Sequence, residues 1–191
     1  MIIGVEGNVH SGKTTYIREF VEKNPNYVVV PECKFDETLS DYDRQLFYLE
    51  QELEKRKLYT QDNLIMDRTI LSTLCYTAFC NELTSIERKS LINVIYNGLI
   101  DNNYMLCDKI MYLSCGWDIV KDNHKELKIE KHTQDVLVEN SYLNFYNDTF
   151  EKWFEGVTIL DKTELGDNRI ITAYDGGQVY ANVLAWLKER M

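Results

Sequence analysis

The sequence predicts an α/β fold of three layers, α/β/α, in which helices cover both faces of a five-stranded parallel sheet. Two observations favour this fold: apolar runs of strand length recur along the chain, and stretches with helical spacing separate most of them. A third is a glycine-rich turn of the phosphate-binding type between the first strand and the first helix. The five predicted strands are MIIGVE, NYVVVPE, NLIMDR, KIMYLSC and GVTILD.

The turn after the first strand carries a complete phosphate-binding motif. Its sequence satisfies G-x-x-x-x-G-K-[ST], and the helical stretch TTYIREFVEK follows it. In that setting backbone N–H groups and a helix N-terminus converge on phosphate oxygens, Lys13 reaches the outer phosphates and the Thr14 hydroxyl can ligate Mg²⁺. For His10, a phosphate contact and a solvent-facing position both stay open. The residues predicted to bind ATP are Gly7, Asn8, Val9, His10, Ser11, Gly12, Lys13, Thr14 and Thr15.

Helical spacing is clearest in two later stretches. In DRQLFYLEQELEKRKLY the residues Leu46, Leu49 and Leu53 form one apolar stripe, with charged residues between them. In NSYLNFYNDTFEKWF an aromatic stripe repeats that spacing, and we interpret both stripes as faces packed on the core. The segment QVYANVLAWLKER predicts a last helix with basic residues in its final turn. The aromatic stripe consists of Tyr142, Tyr146, Phe150 and Trp153.

Length and composition favour one domain over residues 1–191. A chain of this length, 45% hydrophobic, can bury one sizeable core. The net charge of −10 would repel a nucleic acid polymer, although a few local donors can still bind a small anion. No apolar run reaches 18 residues, so no membrane span is expected. Five cysteines without a CxxC pair, and no basic-then-apolar leader, favour reduced thiols in the cytoplasm.

Polar residues follow three of the predicted strands, at the edge where ligands bind in parallel sheets. Glu32 follows the second strand, and it is the candidate base that would accept a proton from an attacking hydroxyl. The alternative is a structural carboxylate in the turn after Pro31. After the third strand, Asp67 would hold Mg²⁺ through water, and Arg68 would bind phosphoryl oxygens or the acceptor. An ion pair at a helix start is the alternative for this pair. Asp161 follows the fifth strand.

These segments resemble the deoxynucleoside kinase family and its relative, thymidylate kinase. The segments that carry the resemblance are GVEGNVHSGKTTYIREF, VVVPE and IMDRTILSTLCYTAF. In deoxynucleoside kinases the loop begins Glu-Gly-Asn, which Glu6, Gly7 and Asn8 match. A Pro-Glu pair supplies the catalytic base, which Glu32 matches. An acidic residue, Arg and Ser end the third strand, where this chain has Asp67, Arg68 and Thr69.

The resemblance implies an ATP- and Mg²⁺-dependent kinase that phosphorylates the 5′-hydroxyl of a deoxynucleoside. It assigns catalysis to Glu32, Lys13 and Arg68, and the metal to Thr14 and Asp67. It also implies a lid at about residues 116–136, and contacts near adenine from LDKTELGDN, where Lys162 and Thr163 lie. A small nucleoside or nucleotide is the expected partner, and a homodimer stays open. The residues expected to bind the acceptor are Glu32, Phe47, Tyr48, Gln51 and Arg68.

Two departures from the family keep alternatives open. Thymidylate kinase usually has an aromatic residue where this chain has Thr69 and an acidic residue where it has Val9, which favours a nucleoside acceptor. The spacing of Ser72 and Tyr76, however, is similar to thymidylate kinase. The lid sequence DNHKELKIEKHTQD has lysines where the family has arginines, and lysine lacks the bidentate fork. A nucleotide-binding protein with a degenerate lid is therefore the alternative from another class.

Overall fold

The computed structural model describes residues 1–116, 118–120, 122, 140–165 and 169–191. Most of the predicted lid therefore lies outside the described residues. The strands are β1 (Ile2–Gly7), β2 (Val28–Val30), β3 (Leu64–Asp67), β4 (Lys109–Ser114), β5 (Ile159–Glu164) and β6 (Ile170–Asp175). The helices are α1 (Lys13–Lys23), α2 (Asp41–Leu58), α3 (Ile70–Phe79), α4 (Ser85–Ile100), α5 (Asn140–Phe154) and α6 (Gly176–Lys188).

The strands form one mixed sheet in the order β2-β3-β1-β4-β6-β5. The first four strands in that order are parallel, and β1 lies between β3 and β4. The carboxyl ends of β1, β2, β3 and β4 therefore meet at one edge of the sheet, which is where ligands bind in such sheets.

The prediction of five parallel strands was wrong in one respect. A sixth strand, β6, lies between β4 and β5 and is antiparallel to both. The segment expected to be a loop near adenine is partly strand, because Lys162 and Thr163 in β5 pair with Thr172 and Ile171 in β6. A short hairpin therefore replaces the expected single fifth strand, and it brings the beginning of β6 beside the end of β4.

Two hydrophobic cores pack against the two faces of the sheet, as expected for three layers. On one face the helix residues of the core come from α2 to α6. On the other face they come from α1, whose Ile17 packs with Ile3, Val5 and Ile65. Alternate residues of β1 contact opposite faces because side chains alternate along a strand.

Both predicted helical stripes are confirmed as core-facing. Leu49 is buried in α2, and Leu46 and Leu53 pack beside it. All four members of the aromatic stripe in α5 are buried, with ring centroids 4.4 Å apart for Tyr146 and Phe150. The predicted final helix is α6, which begins after Asp175.

Two expectations about the whole chain concern cysteines and membranes. All five cysteines are free thiols, and four of them are buried. Within the described ranges, no helix combines the length and the apolar character that crossing a membrane requires.

Candidate active site

The predicted phosphate loop, residues 7–14, connects β1 to α1 at the carboxyl edge of the sheet. Gly7 and Gly12 have φ angles of 151° and 95°, in the region that disfavours side chains. A Cβ atom at Gly7 would lie 2.5 Å from the carbonyl oxygen of Leu113, so only glycine fits against β4. Ser11 N donates to the Asn8 carbonyl at 3.2 Å, which closes the loop ahead of α1.

Lys13 lies at the centre of this loop and is almost fully buried. Its ammonium donates to the carbonyl oxygens of Gly7 at 3.1 Å and Asn8 at 2.8 Å. The pKa of Lys13 is lowered from 10.5 to about 7, first by burial and then by the Arg68 cation, against the opposing effect of the Glu32 carboxylate. The side chains of Lys13, Arg68 and Glu32 therefore share one electrostatic environment.

Three buried polar atoms around the loop have no hydrogen-bond partner among the described residues. They are Oδ1 of Asn8, Oγ of Ser11 and Oδ1 of Asp67. Buried polar groups are normally hydrogen-bonded, so a cluster of three such atoms indicates a site that a polar ligand completes.

Thr14 and Asp67 form the pair that could hold a metal ion. Oγ1 of Thr14 donates to Oδ2 of Asp67 at 2.9 Å, which joins the start of α1 to the end of β3. The second carboxylate oxygen of Asp67 is one of the buried atoms without a partner. A hydroxyl and a carboxylate are oxygen ligands of the type that Mg²⁺ prefers, so these residues fit that ion.

Arg68 and Glu32 form an ion pair across the ends of β3 and β2. Nε of Arg68 lies 2.7 Å from Oε1 of Glu32, and Nη1 donates to Oγ of Ser72 at 2.9 Å. Arg68 has a φ angle of 63°, a strained conformation for arginine that is typical of functional sites. Its side chain is 11% exposed, whereas that of Glu32 is 54% exposed. The cation is therefore fixed, and its carboxylate partner remains accessible to a second molecule.

Glu6 connects the phosphate loop to α3 and α5, a role that sequence reasoning missed. Its carboxylate is fully buried; one oxygen accepts from the backbone N–H of Thr69 at 2.8 Å and its hydroxyl at 2.7 Å. The other accepts from Ser72 at 2.5 Å and Tyr146 at 3.0 Å. The Tyr146 hydroxyl also accepts from Gly7 N at 3.2 Å, so it holds the start of the phosphate loop. The sequence signals for Glu6 were its place at the end of an apolar strand and its match to the Glu-Gly-Asn start of the family's loop, and neither indicates these contacts.

The candidate acceptor residues of α2 differ in what their side chains contact. The amide of Gln51 bonds both backbone groups of Lys34, accepting from N at 2.7 Å and donating to O at 3.1 Å. Gln45, which the sequence analysis did not select, is fully buried and accepts from Thr77 Oγ1 at 2.8 Å. Its Nε2 has no partner among the described residues. Tyr48 is partly buried, and its pKa is raised to about 12, first by burial, with the Glu32 carboxylate among the neighbouring charges.

Solved structures of deoxyadenosine kinase from M. mycoides are similar to this chain. The complex with dCTP has a TM-score of 0.61 at 19% sequence identity, over 81% of this chain and 84% of that chain. The complex with dATP has a TM-score of 0.57 at 20% identity, with the same coverage. The complex with the products dCMP and dCDP has a TM-score of 0.59 at 18% identity, over 81% of this chain and 83% of that chain. At the sequence level, no protein-family model and no curated protein matches.

The chain has a deoxynucleoside kinase-like P-loop fold. In this fold, the structure brings together most of the predicted site residues at one edge of the sheet. A hydrogen bond joins Thr14 to Asp67, and an ion pair joins Arg68 to Glu32. The charges of Asp67, Arg68 and Glu32 all influence the pKa of Lys13. Of the predicted acceptor residues in α2, Tyr48 lies in the electrostatic environment of Glu32, and Gln51 contacts the backbone at Lys34.

Proposed function

We propose that the protein transfers the γ-phosphoryl group of ATP to the 5′-hydroxyl of a deoxynucleoside, with Mg²⁺ as cofactor. The observation that carries the proposal is the ion pair of Glu32 with Arg68, at 2.7 Å, within electrostatic reach of Lys13. Transfer to a hydroxyl needs a proton acceptor beside the phosphate-binding lysine, and Glu32 meets that need. The similarity to deoxyadenosine kinase supports a nucleoside kinase-like function.

On the donor side, the phosphate loop would bind the triphosphate of ATP. Lys13 would exchange its two carbonyl contacts for phosphate oxygens, and the hydroxyl of Ser11 would find a partner there. Thr14 and Asp67 would hold Mg²⁺, which neutralises charge on the phosphates when bound. Positioning and charge stabilisation by these residues would provide most of the rate enhancement.

On the acceptor side, Glu32 would take the proton of the 5′-hydroxyl as the hydroxyl oxygen bonds to the γ-phosphorus of ATP. The bond from that phosphorus to the bridging oxygen would break, and ADP would leave. Arg68 would hold the Glu32 carboxylate in position, and its guanidinium would stabilise negative charge on the group in transfer. Burial opposes the charge of Arg68, but the Glu32 carboxylate raises the pKa of Arg68 above its usual value. The cation is therefore permanent at any pH at which the protein works.

For the base of the acceptor, Phe47, Tyr48 and Gln45 of α2 are the contacts that we propose. The buried Nε2 of Gln45 is a donor without a partner among the described residues, which an acceptor atom of a base would satisfy. We propose that Gln51 instead orders the segment after Glu32, because its amide is bonded to the backbone of Lys34. Gln51 would then act on the acceptor through the position of Glu32.

A nucleoside monophosphate is the second candidate acceptor, as in thymidylate kinase. The observation that favours it is the buried cation of Arg68 at the acceptor end of the site, where a second phosphate would find a charged partner. Arg68 is already engaged by Glu32 and Ser72, however, and the exposed carboxylate of Glu32 would repel a monophosphate. The nucleoside therefore remains the preferred acceptor.

The experiment offers deoxynucleosides and nucleoside monophosphates side by side, with ATP and Mg²⁺, and measures release of ADP. The proposal expects ADP with at least one deoxynucleoside and none above background with monophosphates. ADP release with monophosphates alone would establish the second candidate. ATP binding, measured as a rise in melting temperature, without ADP release across the panel would instead indicate a nucleotide-binding protein without transferase activity.

A further inference from the structure

We propose that Arg169 is an additional phosphate-binding residue of the donor site, which contacts the polyphosphate of ATP on the side of the loop facing β4 and β6. This inference rests on the proposed function. It comes from the antiparallel strand β6, which the sequence analysis did not anticipate, and from what that strand brings to the phosphate loop.

The topology of the sheet explains how Arg169 reaches the site. In the parallel strands, the residue that follows the strand lies at the ligand edge of the sheet. Because β6 runs in the opposite direction, the residue that precedes it lies at that edge. Ile170 pairs with Ser114, the last residue of β4, so Arg169 lies level with Cys115 at the carboxyl edge of β4. The carbonyl oxygen of Arg169 accepts from Leu165 N at 2.9 Å, which anchors its backbone.

The side chain of Arg169 lies directly against the phosphate loop. A Cβ atom added at Gly12 would be 2.6 Å from Nη1 of Arg169, so the missing side chain of Gly12 makes room for the guanidinium. Gly12 is the residue that precedes α1, next to Lys13. The guanidinium therefore lies at the N-terminus of α1, where the backbone N–H groups already favour an anion.

The charges of Lys13 and Arg169 both act on the thiol of Cys115. Burial raises the pKa of Cys115, and the cations of Lys13 and Arg169 lower it, so both charges lie close to the end of β4. Two cations near a helix N-terminus favour the binding of an anion there. The chain has a net charge of −10, so this is a local arrangement and does not reflect a generally basic surface.

A ligand at this position is indicated independently by the hydroxyl of Ser11. Oγ of Ser11 is fully buried without a partner among the described residues, and it lies 3.1 Å from the position of a Cβ at Gly7. The loop therefore has a buried hydroxyl that can donate to a phosphate oxygen, with a guanidinium beside it. Arginine suits phosphate better than lysine does, because its planar fork can bind two oxygens.

The experiment measures binding by titration calorimetry of ATP and of inorganic tripolyphosphate, which has the phosphates but no nucleoside. The test variant is Arg169→Met. The matched control is Arg18→Met, which removes the same charge from an exposed position of α1. Lys13→Met reports on the phosphate loop itself, and Arg169→Lys on the need for the fork. Because Arg169 is only partly buried and Arg18 is exposed, we expect their variants to fold, and melting curves will check the fold of every variant, including Lys13→Met.

We expect Arg169→Met to weaken both ligands about tenfold, as loss of a charged hydrogen bond does, and Arg18→Met to change neither. Arg169→Lys should recover part of the loss. If Arg169→Met melts well below Arg18→Met, Arg169→Gln replaces it, with the same expected loss.

Unchanged binding by Arg169→Met, when Lys13→Met loses it, would overturn the role of Arg169 and leave the proposed function intact. A loss for ATP but not for tripolyphosphate would also overturn it, since the contact would then be with the nucleoside. No binding by the unmodified protein would overturn both proposals.

Discussion

Nε of Arg68 and Oε1 of Glu32 lie 2.7 Å apart, which joins the segment after β2 to the end of β3. The contact is unequal in burial, because the guanidinium is enclosed and the carboxylate is half exposed. A purely structural ion pair at the surface contributes little to stability and needs no strained backbone. The left-handed φ angle of Arg68 therefore favours a role for this pair in the chemistry of the site.

Replacing the carboxylate of Glu32 by an amide tests that role. We expect Glu32→Gln to lower kcat for the deoxynucleoside by at least about a hundredfold, because an amide cannot accept the proton of the hydroxyl. The rise in melting temperature with ATP should change little, since the direct partner of Glu32 is Arg68 and its effect on Lys13 is only electrostatic. Steady-state release of ADP and thermal melts with ATP measure the two effects.

The control for this prediction is Glu37→Gln, which neutralises an exposed carboxylate five residues further along the chain. It should leave kcat within about twofold, because surface substitutions away from a site have small effects. Normal turnover by Glu32→Gln would show that Glu32 is not the base. Glu32 would then be a structural carboxylate in the turn after Pro31.

Much of the fold could be predicted because its signals are local. The phosphate loop, the four parallel strands and the buried stripes of α2 and α5 follow from short patterns in the chain. The strand β6 could not be inferred from strand and helix alternation, because its position between β4 and β5 depends on a long-range pairing. The turn-forming letters GDN at 166–168, between two apolar runs, were the available signal for a hairpin.

For the site, residue identity could be predicted better than contacts. Thr14 and Asp67, which were assigned to one metal ion, are neighbours in the structure because a loop and a strand end meet at one edge. Helical periodicity predicts that Tyr146 is a core residue, but it does not predict the partners of its hydroxyl. That hydroxyl donates to Glu6 and accepts from Gly7 N. Gln51 was proposed from the resemblance of its segment to a helix of the family. Only the packing of α2 against α3 reveals that the amide nitrogen of Gln45 is buried without a partner among the described residues.

The buried carboxylate of Glu6 should be a major determinant of stability. Glu6→Gln would point an N–H group at one of its present donors, which are Thr69, Ser72 and Tyr146. We expect the free energy of unfolding to fall by about 2 kcal/mol, as for other buried polar groups left unsatisfied. Urea denaturation monitored by circular dichroism measures the loss. Glu54→Gln, on the exposed face of α2, is the control, and equal stability of the two variants would contradict this interpretation.

The pair of Thr14 and Asp67 predicts a specific metal defect. Asp67→Asn keeps the shape of the side chain but removes its charge, so Mg²⁺ should bind less tightly. We expect the Mg²⁺ concentration for half-maximal ADP release to rise about tenfold. Asp62→Asn, an exposed residue just before β3, should not change it. An unchanged Mg²⁺ requirement in Asp67→Asn would exclude Asp67 from the metal site.

The lowered pKa of Lys13 predicts how stability depends on pH. Its pKa is about 7 in the folded protein and 10.5 ordinarily, so between these values the unfolded chain binds more protons than the folded one. The contribution of Lys13 to the free energy of unfolding should therefore rise with pH across this window, and this contribution should be absent in Lys13→Met. Urea denaturation of the unmodified protein and of Lys13→Met at pH 6, 8 and 10 gives the difference between their free energies of unfolding. A difference that is constant across these pH values would mean that Lys13 keeps an ordinary pKa.

Binding of ATP should reverse that shift, because phosphate oxygens favour the charged form of Lys13. At pH 8.5 the lysine is mostly neutral before binding, given its pKa of about 7, and an anionic ligand should restore its proton. We expect uptake of up to about one proton for each ATP bound, and less at pH 6, where the lysine is already charged. Titration calorimetry in Tris and HEPES, which differ in ionisation enthalpy, measures this number from the difference in apparent enthalpy. Uptake that is equal at pH 6 and pH 8.5, or absent at both, would show that the ammonium of Lys13 does not change its protonation when the phosphates bind.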